Sequence, residues 1–355
     1  MRVLVINPGA TSTKIAVFED EVEVFRKSIE HEAADIASFE RVADQEAWRM
    51  GLIREALASG GFKPESFDAV AGRGGLLRHI PSGTYAVDAE AVSDLKAARF
   101  GEHASNLGPI LAAELAAMAK VPAYFVDPVS VDELEAVARI SGFKGMERQS
   151  FFHALNQKSV ARSAARQLGK PYEELNLVVV HMGGGVSVAA HRRGRVVDVF
   201  NVKDEGSFSM DRGGSLPVNA LVDYCFSGRT KAEIKKTLST QSGAYSYLGT
   251  RDLREVLRRA DSGDAEAALI YEALVYQHAK DIGAMAAVLR FKVDAIVLTG
   301  GMAFSERLCK AIKDYVGAVA PILVLPGEEE MAALAAGAFR ALKGGEVGIY
   351  GKGGA

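Results

Sequence analysis

Four short stretches carry more polar chemistry than their local structure needs. The first is VLVINPGATSTK, Val3 to Lys14, in which an apolar run enters Asn7-Pro8-Gly9 and then Thr11, Ser12, Thr13 and Lys14. A hairpin needs two or three polar residues to turn; this segment has donors to spare, and a phosphate would use them. The second is AGRGG, residues 71–75, where Arg73 follows an apolar run between glycines, so its guanidinium can reach a carboxylate or phosphoryl group bidentately. The third is HMGGG, residues 181–185, and the fourth VLTGG, residues 297–301. Glycines let backbone amides approach phosphate oxygens, so Gly183, Gly184, Gly185, Gly300 and Gly301 are candidate nucleotide contacts. Asp127, at the end of the strand-like AYFV, could orient a substrate or a metal-bound water, or simply cap a turn. His153 falls in a helical pattern, on its apolar side, where a lone histidine is commonly a core residue.

The patterns that are missing narrow the class. GxxxxGK[ST] is absent, and no GxGxxG follows the first strand, which sets aside the P-loop and dinucleotide-binding folds. Cys225 and Cys309 lie in ordinary surroundings with no ligand spacing, which speaks against a zinc site or disulfide scaffold. A net charge of -3 gives no basic field for nucleic acid. No stretch reads as a membrane span or export signal, so the expected location is the cytoplasm.

The elements that must position these groups repeat. Residues 1–25 read as strand, turn, strand, turn, strand, and Asn176 to Val199 reads the same way. An offset of 174 lays Asn7 on His181, Gly9 on Gly183, Thr13 on Ser187 and Ala16 on Ala190. The period is that of a domain, not a solenoid. Two similar α/β domains are expected, each aiming a donor-rich turn into a cleft between them. The expected boundaries are 1–148 plus a C-terminal helix about 333–355 for one domain and 149–332 for the other. Helices are expected over Ala43 to Ala58 (apolar face Ala47, Met50, Ile53, Leu57), Leu107 to Ala119, from Ser130 or Asp132 onward, and from Arg148 to a stop at Gly169. The glycine-rich tail GGEVGIYGKGGA reads as poorly ordered.

The succession of two strand-turn-strand units and then VLTGG resembles the superfamily of acetate and sugar kinases, heat-shock chaperones and actin. That resemblance implies two duplicated ribonuclease H-like, actin-like ATPase domains. NPGATSTK resembles the Asn-x-Gly-x-x-Ser-x-Lys opening of the acetate kinase family. AGRGG, HASNLGP (103–109), VDP (126–128), FFH (151–153), HMGGG and PGEEEMAA (326–333) resemble that family's later segments, in order. The wording NPGATSTK, GRGGLL, HMGGGVSVAAH and GSLP is most similar to the family's branch acting on butyrate and branched short-chain acids.

The resemblance implies reversible phosphoryl transfer from ATP to a carboxylate, with Mg2+. In that reading Asn7, Thr11, Ser12, Thr13, Lys14 and the turn Gly183–Gly185 hold nucleotide phosphates, and Gly300 and Gly301 pass under the adenosine. Arg73, Asp127, His153 and His181 serve catalysis. His103 supports Asn106 or the substrate loop. A magnesium role falls to Asn7 and to one of Glu328, Glu329 and Glu330, with the register favouring Glu329. A second active-site arginine is either Arg212 or Arg229. Gly184 stands where acetate kinases usually have asparagine. The partner is a small carboxylate, and the resemblance implies a homodimer or larger homo-oligomer. A sugar kinase would need a general base, for which Asp127 is the obvious choice, and leaves Arg73 and His153 unexplained. An actin-like filament protein would need an extended self-association surface.

Overall fold

The computed structural model describes residues 1–352. Its strands, in chain order, are β1 (Arg2–Pro8), β2 (Ser12–Glu19), β3 (Val22–Glu30), β4 (Ala69–Arg73), β5 (Thr84–Ala86), β6 (Ala123–Val126), β7 (Asn176–Met182), β8 (Val186–Arg192), β9 (Arg195–Phe200), β10 (Ala295–Gly300), β11 (Ile322–Pro326) and β12 (Gly348–Ile349). Two compact units form, one from Met1–Asp132 with Glu329–Ala355 and one from Glu133–Glu328.

An unbroken apolar strand needs cover on both faces, and β1 has it: Val3, Leu4, Val5 and Ile6 are wholly buried. It lies inside a seven-stranded sheet of order β12-β5-β6-β4-β1-β2-β3. β1 runs antiparallel to β2 and parallel to β4, which in turn is parallel to β6. The second unit holds a five-stranded sheet, β11-β10-β7-β8-β9, in which β7 is antiparallel to β8 and parallel to β10. The run 6-4-1-2-3 and the run 11-10-7-8-9 are thus one topology used twice, and the expected duplication is present.

The register refines the sequence alignment. β1 and β7 lie 174 residues apart, as expected. Asn7 pairs with Lys14, whereas His181 pairs with Ser187. The second glycine turn is therefore one residue shorter, and the structural counterpart of Lys14 is Ser187. The bulges agree: Val17/Phe18 in the first hairpin and Ala190/His191 in the second are 173 apart. Pairing Thr13 with Ser187 and Ala16 with Ala190 was off by this one residue.

Four further expectations are corrected. The helix Glu46–Ser59 buries Arg49 along with Met50, Ile53 and Leu57, and Ala47 is exposed. After Asp132 only the short helix Ala136–Arg139 forms, with Glu135 at its N-cap. The helix reaching Gly169 starts at Ala154, so His153 sits at its N-cap instead of on its apolar face. The tail is ordered through residue 352: β12 pairs with β5, and Tyr350 is wholly buried with its hydroxyl donating to Asp94 at 2.9 Å. Residues 353–355 of the tail lie outside the described residues. The helix Leu107–Ala119 forms as expected. No helix among the described residues is long and apolar enough to cross a membrane.

Candidate active site

In open α/β sheets ligands collect beyond the carboxyl ends of the parallel strands. In the first unit those ends carry Asn7 on β1, Arg73 on β4 and Asp127 just past β6. The helix Glu330–Leu342 brings in Glu330. The Glu330 carboxylate accepts from Asn7 Nδ2 at 2.8 Å and from Arg73 Nη1 at 3.1 Å, and pairs with Arg73 Nη2 at 3.1 Å. Arg73 Nη1 also reaches Asn7 Oδ1 at 3.4 Å. Arg73 keeps about a quarter of its side chain exposed (26%), enough to meet a ligand while its inner edge is held. The flanking glycines set the strand's position. A Cβ on Gly72 would lie 2.2 Å from the Gly108 carbonyl oxygen, so the helix Leu107–Ala119 packs directly on β4.

Asp127 is buried, with φ at +38°. Its carboxylate accepts from the Gly83 N–H at 2.8 Å, and its own N–H donates to the Gly83 carbonyl at 3.0 Å. Asn106 holds the segment after Arg73, accepting from the Leu76 N–H at 2.8 Å and donating to the Gly101 carbonyl at 2.9 Å. His103 is exposed and caps the turn Ala104–Asn106.

The first glycine turn divides its hydroxyls. Thr11 and Lys14 are exposed and Ser12 half-buried, whereas Thr13 is wholly buried. Thr13 Oγ1 accepts from Arg49 Nη1 at 2.9 Å and contacts His31 Nε2 at 2.8 Å. It holds the turn from beneath. Arg49 Nη1 also donates to the carbonyls of Gly9 (3.0 Å) and Ser12 (3.3 Å), and Nε and Nη2 donate to Gln45 Oε1. Burial brings the Arg49 pKa down to about 10. The sequence held no signal for this arginine beyond a charge inside an apolar helical face.

In the second unit His153 and His181 stack, with ring centroids 3.7 Å apart and planes 12° from parallel. His181 Nδ1 meets Asn156 Oδ1 at 2.8 Å, and His153 Nδ1 meets Ser187 Oγ at 2.9 Å. Asn156 Nδ2 faces the Gly327 carbonyl at 3.3 Å; a carbonyl only accepts, so Asn156 Oδ1 is the acceptor for His181 Nδ1–H. His181 Nε2 is buried, lies 3.0 Å from Glu328 Oε1 and is off line for a hydrogen bond.

The second glycine turn, Gly183–Gly185, packs on Arg212: a Cβ on Gly185 would lie 3.2 Å from the guanidinium carbon. Ser209 Oγ donates to the Gly184 carbonyl. Asp211 lies beside Gly184, and burial raises its carboxyl pKa. Arg229 is exposed and stacks on Tyr224 instead. A cavity of about 920 Å³ opens beside this turn, lined by Gly183, Gly184, Arg251, Arg254, Gly301 and Phe304, among others. Gly300, with φ at +86°, ends β10 against the Met182 carbonyl, where no side chain fits. The cavity's volume lies in the range of small-molecule pockets.

The three consecutive glutamates part company. Glu328 meets His181, Glu329 is exposed at the N-cap of its helix, and Glu330 meets Asn7 and Arg73. The register had favoured Glu329. One step into the helix rotates the side chain by about 100°, which turns Glu330 toward β1 and β4.

Two units of one duplicated topology, each with a glycine turn and charged groups at its strand ends, define an actin-like ATPase fold. The crystal structure of acetate kinase from Porphyromonas gingivalis shares it, with a TM-score of 0.76 at 19% identity, covering 96% of this chain and 99% of that one. A propionate kinase from Francisella tularensis gives 0.73 at 19%, covering 95% and 98%. Butyrate kinase 1 of Clostridium acetobutylicum is 50% identical over 347 residues, 97% of this chain and 98% of its own. Residues 142–319 match the acetokinase family model. The chain belongs to the acetokinase family.

Proposed function

We propose that this protein phosphorylates butyrate, or a branched short-chain acid, with ATP. A carboxylate oxygen attacks the γ-phosphorus, the bond to the β–γ bridging oxygen breaks, and ADP leaves with that electron pair. The acid is already ionised near neutral pH, so no general base is required. The barrier is the approach of one anion to another, and catalysis is positioning and charge neutralisation. The sugar-kinase reading would rest on Asp127, whose carboxylate accepts from the Gly83 N–H at one oxygen, and it leaves Arg73 and His153 without a role.

One observation carries the assignment of roles. Within its own unit Glu328 lies at His181, and within the other unit Glu330 lies at Asn7 and Arg73, so consecutive residues of the chain reach the charged groups of each. We assign to Arg73 the substrate carboxylate or the moving phosphoryl group, and to His153 and His181 donation to its equatorial oxygens. Thr11, Ser12, Lys14 and the turn Gly183–Gly185 hold nucleotide phosphates. Gly300 and Gly301 pass under the adenosine, and Arg212 is the second arginine. Thr13 acts from beneath the first turn.

Among the described residues no three His, Cys, Asp or Glu side chains gather as a metal cage. The donor set instead offers hard oxygens, the Glu330 carboxylate and the Asn7 amide, which suit a Mg2+ that keeps most of its waters and arrives on the nucleotide. That ion supplies charge neutralisation of the phosphates when bound. The reading places the enzyme in the cytoplasm as a homodimer or larger homo-oligomer; the exposed Val218 and Val222 on the helix Val218–Cys225, with the exposed Phe226 at its C-cap, support self-association.

Acyl phosphate formation, trapped with hydroxylamine across acetate, propionate, butyrate, isobutyrate and glycerol, tests the proposal. The expected maximum is at a four- or five-carbon acid. A methylene changes selectivity by about 1–3 kcal/mol, so the series should be graded. A maximum at acetate would remove the butyrate assignment, and ADP release driven by glycerol would restore the sugar-kinase reading.

A further inference from the structure

Behind His153 a chain of hydrogen bonds runs into the core of the second unit. His153 Nδ1 meets Ser187 Oγ at 2.9 Å, and Gln157 Nε2 lies 2.9 Å from that hydroxyl and 3.0 Å from the Ser187 carbonyl. Gln157 Oε1 meets His191 Nε2 at 3.0 Å, and His191 Nδ1 meets the Tyr172 hydroxyl at 2.7 Å. Ser187, Gln157 and His191 are buried to 1% exposure or less. Nothing in the reaction itself calls for a second, wholly buried histidine here.

Each link in this chain has one workable polarity. The Ser187 carbonyl can only accept, so the Gln157 amide nitrogen must face it and its oxygen must face His191. His191 Nε2 therefore carries a proton. Full burial, with Lys158 and Arg162 nearby, holds the His191 pKa well below the ordinary imidazole value, so the ring is neutral and its Nδ1 accepts from Tyr172. The second Gln157 N–H donates to Ser187 Oγ, leaving that hydroxyl's own proton to be placed. His153 Nδ1 is its remaining partner. A proton on Nδ1 would strand a buried hydroxyl without an acceptor, which costs that group its full desolvation.

We propose that Ser187, Gln157 and His191 are positioning residues that set the neutral tautomer of His153, keeping its ring proton on Nε2. The proposal rests on the reading of His153 as a donor to the phosphoryl group. A donor there needs its proton on the nitrogen away from the core, and the chain supplies it before substrate arrives. The register carries the device: Ser187 occupies the place that Lys14 holds in the first unit, so the duplicated position has been turned from a surface cation into a buried relay.

The test is 15N–1H correlation of imidazole nitrogens in the histidine-labelled full chain, at about pH 8.5, above the ordinary imidazole pKa of about 6.5. Seven histidines keep the spectrum tractable, and His153→Gln identifies the relevant signals by difference. We expect the Nε2–H pattern for His153 in the native protein. Ser187→Ala should move it toward Nδ1–H and lower kcat by about 10–100-fold, with KM for ATP and acid changed less than about threefold. Ser187→Thr should restore both. An Nδ1–H pattern in the native protein would overturn the proposal with no variant needed, as would an Nε2–H pattern that Ser187→Ala leaves intact. If His153→Gln turns over normally, the positioning role falls together with the reading of His153, and the native spectrum still judges the hydrogen-bond chain by itself.

Discussion

His153 and His181 stack with ring centroids 3.7 Å apart, and each is anchored through Nδ1 to a different partner, Ser187 for one and Asn156 for the other. The rings come from different elements, one an N-cap and the other the end of β7. Each therefore braces the other. Replacing either by alanine should lower kcat by about 10²–10³-fold with smaller changes in KM. The double variant should lose far less than the product of the two, because the pair acts as a unit. Steady-state kinetics on the three variants checks this.

The glutamate run separates two roles that adjacent residues could be thought to share. Glu330→Gln removes the charge that holds Arg73 and Asn7 in place and should reduce kcat/KM by about 10²-fold or more. Glu329→Gln alters an exposed N-cap side chain and should stay within about threefold. A magnesium titration of each variant distinguishes a lost metal contact, which raises the Mg2+ requirement, from a misplaced arginine, which does not.

Arg49 should tolerate no substitution, lysine included. Its fork serves Gly9, Ser12, Thr13 and Gln45 at once, and an ammonium cannot span that set. Arg49→Lys is expected to raise KM for ATP by about tenfold and lower thermal stability by about 2 kcal/mol or more, since it strands buried acceptors. Kinetics and calorimetry together check both effects.

Acid should destabilise the second unit through its buried histidines. His278 is wholly buried, and burial, only partly offset by the Leu274 backbone one helical turn away, brings its pKa to about 4. The unfolded chain then binds a proton that the folded chain refuses, so stability is complete above pH about 6.5 and falls as pH drops from there to about 4. His278→Phe should flatten that slope, recovering on the order of 3 kcal/mol at pH 4 relative to its own value at pH 7. Urea unfolding at several pH values measures it.

The family resemblance implies an asparagine where this chain has Gly184, and the structure has room there for a Cβ. A Cβ there would make ordinary contact at 3.8 Å with the Asp211 carboxylate. Gly184→Asn should fold normally, with thermal stability within about 1 kcal/mol, and the added donor should lower KM for ATP. A higher KM would mean that the Asp211 carboxylate holds the new amide away from the phosphates.

The chain order of chemistry was open to reading in the sequence. Runs such as Val3 to Ile6, bounded by turn residues, read as buried strands, the glycine turns after them suit close approaches, and two such patterns 174 residues apart point to a duplication. Asn7, Arg73 and Asp127 could be singled out as candidates because each stands at the end of an apolar run, whereas His153 and His181 drew their proposed roles from the family resemblance, and the pattern around His153 had placed it on a helix face instead of at the N-cap. Contacts between distant segments were not. Which glutamate of three meets Arg73 depends on where a helix starts and how far it has turned. That Thr13 faces inward while Ser12 and Lys14 do not is strand alternation, but that its hydroxyl finds a partner there depends on Arg49, 36 positions downstream. The one-residue difference between the two glycine turns, which puts Ser187 behind His153, needs the strand pairing itself. Periodicity and turn chemistry are local properties of a sequence; register, burial and the polarity of a hydrogen bond belong to the partner, and only the folded chain supplies the partner.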